Sequence, residues 1–255
     1  MNLDALSLSI LGPACLAGLL VLVTHVPLGI QVLSRGIVFI DLAIAQLATL
    51  GVIAANHLGM ETGSWVTQVA ATGTALAGAA LLTWTEKRWP QSQEALIGVL
   101  FVLAASGGMI LVAHNPHGGD HMQELLAGQI LWATPTQLLY MAAVTALVLA
   151  VWGWKGQKLG QFGFYGLFAL AVTASVQLVG VFLVFASLVV PALASIHSRA
   201  RRLGVAYLVG VLGYAAGLAL SVALDLPSGP VVVWALAVVG VAARTLSGSN
   251  SSAPA

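Results

Sequence analysis

The chain has 255 residues, of which 59% are apolar and only 7% are Asp, Glu, Lys or Arg, leaving a net charge of +1. A mean hydropathy of +0.99 excludes an ordinary soluble domain. The charge gives no sign of a nucleic-acid partner, and the single Cys15 excludes an intrachain disulfide. Several runs approach the roughly 20 apolar residues that span a bilayer as a helix. Backbone groups in lipid must be satisfied internally, which leaves helices or a closed barrel. Continuous rather than alternating apolar runs choose helices. The expected fold is all-α and polytopic, with about eight to nine transmembrane helices.

The first span is read at about 6–31. No charged region followed by a small-residue cleavage site precedes it, so it is expected to stay in the membrane. His25 stands just before Pro27; it could be a ligand, but reads more readily as a packed or interfacial histidine at a kink. The second span, about 36–56, follows Arg35 and carries Asp41 only a few residues inside. A carboxylate near the bilayer costs several kcal/mol unless it is paired or wet. Asp41 therefore either serves function or, near the interface, pairs with Arg35 or satisfies backbone groups of the first turn. Gln46 follows at i+5, on a neighbouring face. The third and fourth spans are read at about 65–84 and 94–113.

A short polar burst comes next: His114-Asn115-Pro116-His117-Gly118-Gly119-Asp120-His121-Met122-Gln123-Glu124. Three of the six His and two of the eight acidic residues fall in these eleven positions. Imidazole and carboxylate are together ligands for transition metals. His121 and Glu124 lie one helical turn apart and could share an ion. The other reading is a polar turn at Gly118-Gly119 in which Asp120 caps the helix that follows. The spacing is not that of a structural zinc site.

The fifth span is read at about 135–153. A sixth run, Gly163 to Ser195, is long for one crossing and short for two. It is expected to break near Gly180 into two short helices or a helix and a re-entrant hairpin. Spans at about 204–224 and 230–245 complete a single transmembrane domain over residues 1–245. Residues 246–255 are small and polar, and are expected to form a disordered cytoplasmic tail.

Basic residues occupy alternate gaps. Arg35, Lys87 with Arg88, Lys155 with Lys158, Arg199 with Arg201 and Arg202, and Arg244 form one set. The gaps from His57 to Gly63, through the polar burst, and from Asp225 to Gly229 hold none. The positive-inside rule makes the first set cytoplasmic. It places the N-terminus outside, the C-terminus inside and the polar burst on the external face. Motifs of the GxxxxGK[ST], HExxH and GxSxG kinds are absent, so no enzyme activity and no P-loop ATPase is expected in the chain itself.

Three stretches carry a family resemblance. The first runs from Ser34-Arg35-Gly36-Ile37-Val38-Phe39 to Leu50-Gly51-Val52. The second is Glu94-Ala95-Leu96-Ile97-Gly98-Val99, with Glu124-Leu125-Leu126-Ala127-Gly128-Gln129-Ile130-Leu131 after it. The third is Ser175-Val176-Gln177-Leu178-Val179-Gly180-Val181-Phe182-Leu183-Val184, followed by Ala186-Ser187-Leu188-Val189-Val190-Pro191-Ala192. With Asp225-Leu226-Pro227-Ser228-Gly229, they resemble, in order and spacing, the membrane permease subunit of bacterial ABC transporters for zinc, manganese and iron.

The resemblance implies a multi-pass subunit of the bacterial inner membrane in an ATP-driven importer, with zinc or manganese as cargo and no permanent cofactor. Its implied partners are a second permease copy, a cytoplasmic ATPase that binds the ATP, and an external solute-binding protein. Metal would pass between two protomers, and the polar burst would form a vestibule of His114, His117, Asp120, His121 and Glu124. The family's second helix carries an Asp and, four residues later, a His that touch the metal. Those positions hold Leu42 and Gln46 here, and Asp41 is one residue away. The candidate path residues are therefore Asp41 and Gln46. The family's cytoplasmic coupling segment is shortened to Lys155-Gly156-Gln157-Lys158-Leu159-Gly160-Gln161, with Lys158, Leu159 and Gly160 as candidate coupling residues. The weakened path positions leave open a permease for a metal chelate or other small solute, or a gradient-driven carrier on the same scaffold. A membrane-integral metalloenzyme using the burst histidines is a further alternative, opposed by the Gly-Gly turn among them.

Overall fold

The computed structural model describes residues 8–60, 64–113, 130–155, 159–198 and 201–249, with Leu126 and Gly128 between. Nine α-helices are found among the described residues. They are α1 (Leu8–Arg35), α2 (Ile40–His57), α3 (Trp65–Arg88), α4 (Gln93–Val112), α5 (Pro135–Lys155), α6 (Gln161–Val179), α7 (Val181–Ala194), α8 (Arg202–Leu224) and α9 (Ser228–Ser249). Eight are long and apolar enough to cross a membrane, and α7 is the short one.

The expected break falls at Gly180. This residue adopts φ 81° and ψ 162°, a conformation open in practice only to glycine, and it ends α6 and starts α7. Gly128, also at positive φ, packs directly on the Val179 carbonyl and the Gly180 amide. The second half of α9 then meets the C-terminal half of α7, where Gly240 sits against Val190 and Ala194.

Several boundaries differ from the sequence reading by about four residues: α1 and α3 end later, α2 starts later, and α9 runs further. Helix α1 continues to Arg35 through Pro27. A proline removes one helical hydrogen bond, and a helix buried in a bundle can replace it from a neighbour. Tyr207 Oη on α8 donates to the Val23 carbonyl at 3.1 Å, the acceptor that Pro27 leaves free. Helix α9 runs to Ser249, four residues into the stretch read as tail, because adding a residue to an existing helix needs no new nucleus. Residues 250–255 lie outside the described residues.

Helices α2 and α6 form the interior, and α4 and α5 the periphery. Helix α2 packs on α3, α4 and α6; α1 packs on α7 and α8; and α9 packs on α7 and α8. Close approach is made by small residues, as in other helix pairs in lipid. Gly51 lies against the Ala70 carbonyl, Gly78 against Leu47, and Thr74 Oγ1 donates across to the Leu47 carbonyl at 2.8 Å.

The ends of α1 and α3 and the starts of α2, α4 and α6 meet in one polar girdle. Gln93 Nε2 donates to the Leu82 carbonyl at 3.0 Å and to Tyr165 Oη at 3.3 Å. Its Oε1 accepts from Thr85 Oγ1 at 3.0 Å. Glu94 Oε1 accepts from the Phe39 amide at 3.3 Å. The Arg35 guanidinium lies over the Phe164 ring, 4.0 Å from its centroid. Lys87 and Arg88, exposed on the last turn of α3, share this end.

Candidate functional site

Successive residues of a helix turn by roughly 100°, so α2 can be divided by its partners. Leu47 and Gly51 face α3. Leu50 reaches Gly107 of α4, and Leu42 opens into a groove between α2 and α4. The remaining sector, left for α6 and α7, contains Asp41, Ala45, Ala48 and Val52. Its alanines let the broken pair approach closely.

Asp41 is completely buried, and neither carboxylate oxygen has a hydrogen-bond partner. Pairing with Arg35 does not occur, since that guanidinium is exposed and lies on Phe164. A lone carboxylate at this depth needs a cation or a proton, because the low dielectric leaves its charge uncompensated. Gln46 is also buried but lies on the Leu42 side of α2, one helical turn from it. Asp41 and Gln46 thus belong to different faces.

The groove holding Leu42 is about 600 Å3 and apolar, with Phe39, Gly98, Val99, Val102 and Leu103 among its lining residues. It carries no metal-ligating side chain. Among the described residues no three His, Cys, Asp or Glu side chains gather as a metal site.

The vestibule candidates His114, His117, Asp120, His121 and Glu124, and Lys158 of the coupling segment, lie outside the described residues. Of the remaining coupling candidates, Gly160 precedes α6 and its carbonyl accepts from the Phe164 amide at 3.1 Å. Leu159 packs its side chain against the core. His197, read as surface, is exposed.

His25 is the residue that sequence reasoning set aside. It is completely buried in α1. Its Nδ1 lies 3.0 Å from the Val21 carbonyl and 3.0 Å from Thr24 Oγ1, while its Nε2 has no partner. The available signal was an imidazole ten residues deep in an apolar helix, as anomalous there as Asp41.

Helices long and apolar enough to cross a membrane, broken at Gly180 and holding a buried carboxylate without a partner, are those of a polytopic membrane protein. The sequence matches the ABC 3 transport family over residues 7–164 and 156–247, and the chain belongs to that family. It is 26% identical over 247 residues to the high-affinity zinc uptake system membrane protein ZnuB of Haemophilus influenzae, covering 88% of this chain and 92% of that one. Its fold is similar to PsaBC from Streptococcus pneumoniae, solved in complex with Fab, with a TM-score of 0.76 at 19% identity over 95% of each chain. It is also similar to an inward-facing transporter described as of the metal-chelate type. There the TM-score is 0.68 at 15% identity, over 93% of this chain and 85% of that one.

Proposed function

We propose that this chain is the permease subunit of an ATP-driven importer of divalent metal ions: zinc, manganese or iron. Two copies enclose the path in a bacterial inner membrane, and no cofactor is held permanently. A cytoplasmic ATPase docks on the basic side, where Arg35, Lys87, Arg88 and the Lys158-Leu159-Gly160 segment lie. An external solute-binding protein delivers metal to the vestibule of His114, His117, Asp120, His121 and Glu124. The charge alternation supports an external N-terminus and a cytoplasmic C-terminus.

The single observation that carries the reading is the match along nearly the whole chain to the ABC 3 transport family. Asp41 adds chemical support, since a wholly buried carboxylate without a partner suits a cation in transit. Gln46 adds a neutral amide oxygen, a weaker ligand for zinc than an imidazole. The test is metal uptake by cells lacking their own importers, with and without a co-expressed ATPase subunit. Uptake that requires the ATPase is expected; an equal rate without it would refute the reading.

A second reading, import of a metal chelate, is favoured by the apolar groove at Leu42, where the family's Asp stands. Its test is competition: an excess of free metal leaves chelate uptake unchanged if the chelate is the cargo, and abolishes it if the bare ion is.

A further inference from the structure

We propose that the basic end of α3 is a binding site for an anionic phospholipid: Lys87 and Arg88 hold its phosphate beside the Trp84–Trp89 pair, and an acyl chain lies along the exposed face of the same helix. The proposal needs only that the chain spans a bilayer, and does not depend on what it transports.

Helical spacing assembles the patch. Residues three and four apart are neighbours on a helix surface, so Trp84, Lys87 and Arg88 share one face at the last turn of α3. Trp89, which ends the helix, meets Trp84 edge-on with 5.3 Å between ring centroids. Trp84 is 56% exposed and Trp89 47%, and both cations are exposed. The polar network at this end runs through Thr85, Gln93 and Tyr165 instead. Arg35 is engaged over the Phe164 ring. Among the described residues no hydrogen bond or ion pair engages Lys87, Arg88 or either indole N–H. Two cations and two donors thus stand together, unused by the protein. The helix dipole favours cations at this end, but it gives no reason for a paired indole beside them.

The chemistry of the patch selects the lipid. Trp rings settle at the headgroup level, with an apolar body toward the chains and an N–H toward the polar layer. Lys and Arg near the membrane surface attract anionic headgroups. The ammonium of a zwitterionic headgroup would meet two like charges here.

The acyl chain follows from the rest of the helix. From Trp84 the exposed positions recur at Ala80, Ala77, Gly73, Val69 and Trp65, three or four residues apart, while the opposite side packs on α2 and α6. Gly73 has open space where a side chain would stand. At roughly 100° per residue, the exposed Leu76 and Leu81 fall on either side of the small residues. Trp84 and Gly73 are roughly 16 Å apart along the axis, close to half of a hydrocarbon core about 30 Å thick. That is the depth of one leaflet, measured from the cations inward.

The test is the thermal midpoint of the full-length chain in dodecyl maltoside, titrated with phosphatidylglycerol, phosphatidylcholine or inorganic phosphate. Phosphatidylglycerol should raise the midpoint saturably, and the other two should not. Lys87→Gln with Arg88→Gln should weaken the phosphatidylglycerol affinity roughly 25-fold, about fivefold for each cation. Trp84→Leu with Trp89→Leu keeps the charges and the apolar bulk, and should weaken it severalfold. Arg201→Gln with Arg244→Gln removes two other exposed cations and should leave it unchanged. An equal shift with phosphatidylcholine or phosphate would overturn the proposal. So would unchanged affinity in either of the first two paired variants, or an equal loss in the Arg201 and Arg244 pair. If one of the first two variants does not fold, the other decides.

Discussion

Asp41→Asn separates a transport role from a structural one, because the two demand opposite changes in stability. The substitution keeps the side-chain shape and removes the charge. On insertion scales an Asp at the centre of a membrane helix costs roughly 2.5–3.5 kcal/mol, and the cost falls toward the interface. Asp41 stands one residue into α2, yet it is completely buried and its oxygens have no hydrogen bond that the substitution could break. Asp41→Asn should therefore stabilise the empty permease by about 1–2 kcal/mol. At roughly 2–4 °C per kcal/mol for a chain near this size, the thermal midpoint in detergent should rise by about 2–8 °C. If the carboxylate is the charged ligand on the path, metal uptake should fall at least tenfold in the same variant. A lowered midpoint with normal uptake would refute the reasoning and make Asp41 a structural residue.

Gly180→Ala places an L side chain at φ 81° and ψ 162°, at a cost of about 1–3 kcal/mol; a lower thermal midpoint in detergent, with the helix content by circular dichroism retained, is expected. Gln93→Ala removes both donors and the acceptor that join Leu82, Thr85 and Tyr165. Leaving those groups unpaired should cost about 1–3 kcal/mol, read as a lower midpoint and as faster proteolysis between α3 and α4.

The spans were legible because lipid imposes a length and a composition, and each apolar run reports both. The break at Gly180 was legible for the same reason: 33 apolar residues between two basic gaps fit neither one crossing nor two full ones. The inner architecture was less so. Helix α2 is apolar on nearly every face because α3, α4, α6 and α7 surround it, so its sequence has no stripe to say where Asp41 turns. Leu42 and Asp41 differ by one position, but one lines an open groove and the other the interior. The ring of His25 is anchored through Nδ1 by Val21 and Thr24 within the helix, and its burial comes from packing against neighbouring helices. The sequence shows the residues of that arrangement without showing that they act on one another.

The Tyr207 hydroxyl on the Val23 carbonyl has a mechanical consequence. Pulling α8 away from α1 would strand a carbonyl in hydrocarbon, where an unsatisfied group costs several kcal/mol. The tight contacts of Gly18 with Tyr214 and of Gly210 with Leu22 add resistance along the same line. Helices α1 and α8 therefore travel as one rigid piece. Helix α7 is held to the same piece by Gly29 on the Leu188 carbonyl and by the Ser187–Tyr214 hydroxyl pair, so whatever opens the permease alternately to its two sides must pivot elsewhere.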